Sequence, residues 1–453
     1  MSPARHGPHR STRACRLAAP ADLPALCASP TSFLLASSVG GVDAARLAER
    51  TLEALCAPFA GEEHDAQAAA LRGERWVPGA GGGGGGAAEQ HGEQRTLAAA
   101  FAFAAELFLG AKAHPAAVPA RLSAWLARWA PALSPRQSCA LRRVATFAAA
   151  ESEAPAEERE GYWQAVCACA ALGWHARALE LVGLHSVWEQ AHTPEVLARL
   201  EALEPVATLL SAAPTLEGTA ADADGSGADA AAAAQRRGAH YREAWRAQVS
   251  QVLASSRGWT RLAAPEREGL QALLRVLSGD AASLREAAGG GWVDALVAAA
   301  VHAWPAPRDA HEVAARAAED MRAFGEGAAA AAAAGETPEG GARGALEPFL
   351  RACAARDGGA ALAVASAAFP PALAAHLVEV LAEVGGAEEQ SLLARALPGP
   401  LGGTLPECLR LQHAAALHAE GSTELATLAE PYLAACPTAG EGARKALAAR
   451  AFS

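Results

Sequence analysis

The residue types that could do chemistry in this chain are scattered, and the most metal-like spacing lies at residues 222–227. Asp222, Asp224, Ser226 and Gly227 match the first half of an EF-hand calcium loop. The twelfth position of such a loop supplies a bidentate Glu, whereas this chain has Ala233 there. We therefore interpret the segment as a linker and expect no calcium site.

Other motifs of catalysis or cofactor binding lack the context that they need. The glycine run at residues 81–86 satisfies GxGxxG trivially, but no strand precedes it. His413 and His418 are five residues apart on a predicted helix, about 140° around its axis, which is too wide for a shared metal. Cys167 and Cys169 point to different helix faces. The sequence has no HExxH or GxSxG motif. We predict no catalytic residue, no cofactor and no metal, and a protein that is not an enzyme.

The amino-acid composition narrows the classes of fold and of function that remain. The chain has 453 residues, of which 51% are hydrophobic and 19% charged, so it can bury a large core in several domains or in one elongated array. It contains three tyrosines, no Ile and no Asn, which is poor material for strands and tight hairpins and favours an all-α fold. A net charge of −11, with arginines interleaved among acidic residues, argues against a nucleic-acid groove.

The cysteines and the N-terminal residues indicate in which cellular compartment the protein is expected. Nine dispersed cysteines indicate a reducing, intracellular environment, and no apolar run reaches the roughly 18–20 residues that would span a bilayer. Arg5, Arg10, Arg13 and Arg16 precede the first acidic residue, Asp22, which formally resembles an organelle transit peptide. Prolines and a glycine interrupt any amphipathic helix there, which favours a disordered tail or a misplaced start codon.

Hydrophobic periodicity with short Pro or Gly breaks predicts antiparallel helix pairs from Thr96 onward. Such pairs favour an irregular α-solenoid, without the period of about 34 residues that marks tetratricopeptide repeats. The predicted helices are Thr96–Leu109, Val118–Trp129, Pro135–Ala150, Glu157–Leu172, His175–His185, Pro194–Leu210, Tyr241–Leu253, Pro265–Leu277, Ala281–Ala303, His311–Phe324, Leu346–Ala355, Gly359–Ala368, Pro371–Val384, Glu388–Ala396, Pro406–Ala419, Glu424–Ala435 and Gly442–Arg450.

This pattern divides the chain into six parts. Residues 1–95 form a mostly disordered N-terminal region with one helix at Val42–Phe59 and a Gly linker. The solenoid follows in three helical parts, 96–216, 239–324 and 345–453. Two low-complexity inserts, 217–238 and 325–344, separate these parts.

Large aromatic residues are expected to fill the spaces between alanine-rich helices, where small residues permit close approach. We interpret nine tryptophans as packing residues of this kind: Trp125, Trp129, Trp163, Trp174, Trp188, Trp245, Trp259, Trp292 and Trp304. We interpret His185, the last residue of a predicted helix, as a helix-terminal cap.

Five stretches, in the same order along the chain, resemble one known family. Tyr162–Ser186 has an aromatic pair, a small-residue helix, a Gly-Trp turn, a second helix and Leu-His-Ser. Glu106–Trp129, Tyr241–Trp259, Arg267–Pro305 and Leu405–Cys436 carry further matching features. Together they resemble the 85-kilodalton nucleoporin family, a component of the Y-shaped outer-ring complex of the nuclear pore.

The resemblance implies an all-α solenoid of the ancestral coatomer-element type, in which the chain doubles back on itself. It also implies a location at the nuclear pore complex in the nuclear envelope, and a scaffold role in pore assembly, protein transport and mRNA export. Other outer-ring nucleoporins would be the partners, with no direct nucleic acid and no transmembrane segment. The family-matching structural residues are Trp163, Trp174, His185, Trp245, Arg267, Gly269, Leu270, Trp292 and Tyr432.

Two regions depart from the family pattern. Members typically open with strands that complete a Sec-thirteen-like β-propeller partner, whereas residues 1–95 offer a single extended stretch, Ser32–Val39. The family also continues into a helical tail that joins the hub of the Y, so we expect the hub contact to be lost or the gene model to be truncated. The alternatives are another α-solenoid adaptor or vesicle-coat scaffold, and a helical enzyme with a closed acidic or metal-binding pocket.

Overall fold

The computed structural model of the protein describes residues 85–134, 137–149, 154–190, 193–214, 228–256, 259–304, 307–332, 342–384, 386–395, 403–419, 423–437, 442 and 445. Within these ranges the fold is all-α, with seventeen helices of seven or more residues and no β-strand. The helices are α1 Gly85–Ala105, α2 Val118–Trp129, α3 Ala140–Ala149, α4 Tyr162–Ala171, α5 His175–Gly183, α6 Pro194–Ser211, α7 Ala228–Ser255, α8 Ala264–Ser278, α9 Ala281–Ala288, α10 Trp292–Ala298, α11 Ala310–Ala332, α12 Ala342–Ala354, α13 Gly358–Ala368, α14 Pro371–Val384, α15 Ala387–Ala394, α16 Leu405–Ala419 and α17 Thr423–Ala434.

Short-range signals set many of the helix ends. The side-chain oxygens of Thr193, Asp280 and Asp357 accept hydrogen bonds from the backbone N–H groups three residues further on, with N···O distances of 3.3, 2.9 and 2.8 Å. These three residues therefore cap α6, α9 and α13. Gly279 ends α8 in the left-handed region, at φ 84°. Because these caps satisfy otherwise unpaired backbone groups, α8 and α9 can follow one another with a single tight turn between them.

Several helix bounds differ from the sequence prediction. The predicted helix Ala281–Ala303 is wrong: α9 and α10 are separate, because Gly289 and Gly290 take φ of 64° and 92° and turn the chain. α7 and α11 extend into the segments predicted as low-complexity inserts, since alanine has the highest helix propensity. α1 begins at Gly85, before the predicted start of order at Thr96.

Some predictions fall outside the described residues. They are the helix Val42–Phe59, the extended stretch Ser32–Val39, the half EF-hand pattern at residues 222–227 and nearly all of the predicted helix Gly442–Arg450. These remain predictions from the sequence.

The described chain doubles back on itself. α4 packs against α8, α2 packs against α10, and α1 packs against both α12 and α14. The helices from α1 to α6 therefore form an outgoing arm, and those from α8 to α14 form a returning arm beside it. α16 and α17 pack on each other after α14.

Three apolar cores hold this arrangement. The first joins α1 and α2 to α10 and to α12–α14, around Phe103, Trp125 and Phe349. The second joins α3–α6 to α7–α9, around Tyr162, Leu203 and Leu270. The third is a small cluster between α16 and α17. The two large cores each draw residues from both arms, so burial of apolar area stabilises the doubling back directly.

Within the described part of the chain, no helix is long and apolar enough to cross a membrane. The same residues contain no group of three or more His, Cys, Asp or Glu side chains placed to hold a metal ion.

Candidate functional site

Four charged or polar side chains meet between the two arms, and we call them the inter-arm cluster: Glu157, His185, Arg199 and Glu266. Glu157 belongs to the 3-10 turn Ala156–Glu158 before α4, and His185 precedes the 3-10 turn Ser186–Trp188 after α5. Arg199 lies on α6 and Glu266 lies in the first turn of α8. The cluster therefore joins three elements of the outgoing arm to the beginning of the returning arm.

Arg199 connects the two carboxylates of the inter-arm cluster. Its Nη2 lies 2.9 Å from Glu157 Oε1, and its Nε donates to Glu266 Oε1 and Oε2 at 3.0 and 3.1 Å. The side chains of Glu157 and Glu266 are 6% and 8% exposed, against 23% for Arg199. Charge-assisted hydrogen bonds of this kind are stronger than neutral ones, and they offset the cost of burying the two carboxylates.

His185 is the buried centre of the cluster, with 1% of the residue exposed. Its Nδ1 accepts the backbone N–H of Val187 at 3.3 Å, so it occupies the N-cap position of the 3-10 turn. Its Nε2 lies 3.2 Å from Glu266 Oε1. The imidazole is therefore next to the same carboxylate that Arg199 binds.

The electrostatics of the cluster favour ionised carboxylates. Burial opposes ionisation of Glu157, but hydrogen bonds from the Ser186 hydroxyl and N–H outweigh it and lower the pKa to about 2. Burial likewise opposes ionisation of Glu266, and the contacts with His185 and Arg199 nevertheless lower its pKa. A carboxylate whose pKa is lowered contributes stability to the folded state at neutral pH.

An aromatic contact next to the cluster joins the same two arms. Trp163 on α4 packs edge-on against Tyr162, with ring centroids 4.9 Å apart, and lies 6.4 Å from the His185 ring. Its indole faces Gly269 on α8, where an added Cβ would lie 2.3 Å from the indole Cγ. The close approach of α4 to α8 therefore requires glycine at position 269.

A second polar contact between the arms is formed by Asp294, in the first turn of α10. Its carboxylate accepts hydrogen bonds from Ser138 Oγ at 2.7 Å, from Cys139 N at 2.7 Å and from Ala140 N at 2.9 Å. The fully buried Asp294 thus caps the N-terminus of α3 from another helix. Burial raises the pKa of Asp294, and the three hydrogen bonds oppose that rise.

The predicted family-matching residues occupy different parts of the fold. Leu270 is fully buried in the second core, Trp245 is buried there and donates to Leu209 O at 2.9 Å, and Trp174 contacts both large cores. The half-buried Arg267 lies at the beginning of α8.

Two more of these residues are buried. Trp292 begins α10 beneath the Arg351 guanidinium, 4.6 Å from the ring centroid. Tyr432 on α17 packs edge-on against His413, with ring centroids 4.6 Å apart. Trp163, His185 and Gly269 are thus the predicted residues that the structure brings together.

Sequence reasoning missed Glu157, Arg199, Glu266 and Asp294. Glu266 carried a local signal, because an acidic residue directly after Pro265 is typical of a first helical turn. Arg199 and Glu266 are 67 positions apart, and Ser138 and Asp294 are 156 apart, so no helical spacing in the sequence links either pair.

The arrangement holds two arms of helices together. The fold and these contacts define a class of protein, the doubled-back α-solenoid scaffold. Residues 96–451, more than three quarters of the chain, match the Nup85 nucleoporin family, and the chain belongs to that family. No curated protein matches the chain with significant similarity.

Proposed function

We propose that this protein is a structural subunit of the outer-ring, Y-shaped complex of the nuclear pore. The observation that supports this proposal is the family match over residues 96–451, which includes both arms of the described solenoid. The scaffold role concerns pore assembly, and through it protein transport and mRNA export. The protein acts through its shape and its partner surfaces, without catalysis.

The physical basis of a scaffold is that its partner surfaces keep fixed positions. Stacked helix pairs provide stiffness, because each pair buries its apolar face on its neighbours. Here the inter-arm cluster and the contact between Trp163 and Gly269 add contacts from arm to arm. We propose outer-ring nucleoporins as partners, and a Sec-thirteen-like β-propeller as a further partner of the N-terminal region.

Affinity purification of the tagged chain from its own cells, followed by mass spectrometry, tests the proposal. Recovery of outer-ring nucleoporins supports the role, and recovery of a propeller supports the further partner. Recovery of vesicle-coat proteins in their place would contradict it and favour a coat adaptor.

Two matched variants sharpen this experiment. Trp163→Ala removes the aromatic contact between the arms and is expected to reduce recovery of the partners. Arg177→Gln changes an exposed ion pair with Glu180 on α5 and is expected to leave recovery unchanged.

A further inference from the structure

An open crevice lies between α7, the beginning of α5 and the π-helical turn Ala299–Ala303 that continues α10. We call it the arginine crevice, and the residues of its lining that matter here are His175, Pro214, Arg242, Trp245, Arg246 and His302.

The charge of the crevice is positive although the chain carries a net charge of −11. Arg242 and Arg246 are one helical turn apart on α7, a spacing at which like charges repel. Burial lowers the pKa of both guanidinium groups, and the charge of Arg246 lowers that of Arg242 further. Arg246 donates to the carbonyl oxygen of His302, and Glu243, its neutralising neighbour on α7, is exposed outside the crevice.

Two histidines belong to the lining of the crevice. The rings of His175 and His302 meet edge to face with centroids 5.9 Å apart, and His302 Nε2 lies 2.8 Å from Ala170 O. Burial lowers the pKa of His175 to about 4 and that of His302 to about 3, so both rings are neutral at pH 7. His175 Nε2 is buried and has no hydrogen-bond partner in the described part of the chain.

Two partly buried cations, together with a buried imidazole nitrogen, are costly when nothing pairs with them. No described residue that lines the crevice carries a carboxylate. We propose that the arginine crevice binds a carboxylate side chain from an acidic peptide segment of a partner protein. The planar carboxylate can accept hydrogen bonds from both arginines, and His175 lies within the same lining.

An acidic peptide fits this site better than a nucleic acid. The crevice offers two arginines at one position, whereas a phosphate backbone is bound by a row of basic residues along a face.

The test is fluorescence anisotropy of the purified full chain with a labelled hexaglutamate peptide, and with hexaglutamine as the neutral control. We expect saturable binding of hexaglutamate and none of hexaglutamine. Arg242→Gln and Arg246→Gln should each weaken binding at least tenfold, and Arg242→Lys should weaken it less. The matched control is Arg237→Gln, an exposed arginine on the same helix, which should bind as the wild type does.

Three results would overturn the proposal. The first is no binding of hexaglutamate to the wild type. The second is an equal loss in Arg237→Gln, which would mean general surface attraction. The third is tighter binding of a labelled oligo-dT strand than of hexaglutamate.

Thermal melting of the same variants provides an independent check that does not need a ligand. Removing one of two neighbouring, partly buried cations should leave the melting temperature of Arg242→Gln equal to or above that of the wild type. A fall larger than that of Arg237→Gln would mean that the chain's own carboxylates already pair with Arg242, and this also contradicts the proposal.

Discussion

The indole of Trp163 on α4 occupies the space in which any side chain at position 269 of α8 would lie. A Cβ on Gly269 would approach the indole to 2.3 Å, far inside van der Waals contact. Glycine in the middle of a helix costs about 0.5–1 kcal/mol relative to alanine, so its presence in α8 reflects the packing of the two arms and not the needs of the helix.

Gly269→Ala is therefore expected to destabilise the fold although alanine is the better helix former. The clash forces the rigid indole or one of the two helices to move, and overpacking of this kind costs about 1–3 kcal/mol. Urea unfolding of both proteins at pH 7 measures the difference. The control is Gly183→Ala on α5, where no atom lies within 4 Å of an added Cβ, and which should be neutral or slightly stabilising.

A double variant separates the clash from other effects. A fully buried tryptophan replaced by alanine costs about 3–5 kcal/mol. Because Trp163 is half-buried, we expect Trp163→Ala alone to cost somewhat less than that. In Trp163→Ala with Gly269→Ala, the added methyl group enters the space that the indole left. We expect the Gly269→Ala penalty to disappear in that background, and an unchanged penalty would contradict direct contact.

Arg199→Ala is expected to destabilise the protein by about 3 kcal/mol, the lower end of the range for breaking a buried ion pair, because Arg199 is 23% exposed. The variant leaves Glu157 and Glu266 buried without their shared cation. Urea unfolding measures the loss at pH 7. Arg275→Gln, an exposed arginine on α8, is the control and should unfold as the wild type does.

Acid should weaken the same cluster. The pKa of Glu157 is about 2 in the folded chain against 4.5 for an ordinary Glu, so its contribution is complete above pH 4.5 and is lost as the pH falls towards 2. Glu157→Gln should therefore show a shallower fall of melting temperature over that window. An identical slope in wild type and variant would contradict the lowered pKa.

How much the sequence reveals depends on the range of the interaction. α2 and α14 have the bounds that the hydrophobic periodicity predicted, because propensity, Pro positions and apolar faces act within one or two helical turns. The break between α9 and α10 also has a local signal, three consecutive glycines at residues 289–291, but the prediction extended one helix, Ala281–Ala303, across it.

The inter-arm contacts could not be predicted from local patterns. Gly269 and Trp163 were singled out separately, yet their contact depends on how α4 approaches α8. Glu266 signals a helix start equally well whether or not Arg199 faces it. Which distant helices contact each other is decided by the packing of the whole fold, and local patterns in a single sequence do not contain that information.

Asp294→Ala is expected to be among the most destabilising single changes in the described chain. It leaves Ser138 Oγ and the backbone N–H groups of Cys139 and Ala140 without their acceptor, at about 1–3 kcal/mol for each buried group that finds no water. Urea unfolding measures the loss. Asp294→Asn keeps one acceptor oxygen and should lose less, and equal losses would mean that the charge matters and not the capping geometry.

Buried histidines should make the fold sensitive to mild acid, in a window above that of Glu157. Burial, with a smaller contribution in the same direction from the nearby His413, lowers the pKa of His376 to about 3, against 6.5 for an ordinary histidine. Below pH 6.5 His376 binds a proton in the unfolded chain but stays neutral in the folded chain. Each such histidine therefore removes about 1.4 kcal/mol of stability per pH unit, from pH 6.5 down towards its folded pKa.

His376→Gln tests this sign. Its melting temperature should fall less steeply between pH 6.5 and 4 than that of the wild type, because one proton-linked step has been removed while a polar group still faces Tyr432. The control is His311→Gln at an exposed position on α11, which should keep the wild-type slope. A slope in His376→Gln as steep as that of the wild type would mean that position 376 takes up its proton in the folded chain as readily as in the unfolded one, and that its burial between α14, α16 and α17 does not couple folding to pH.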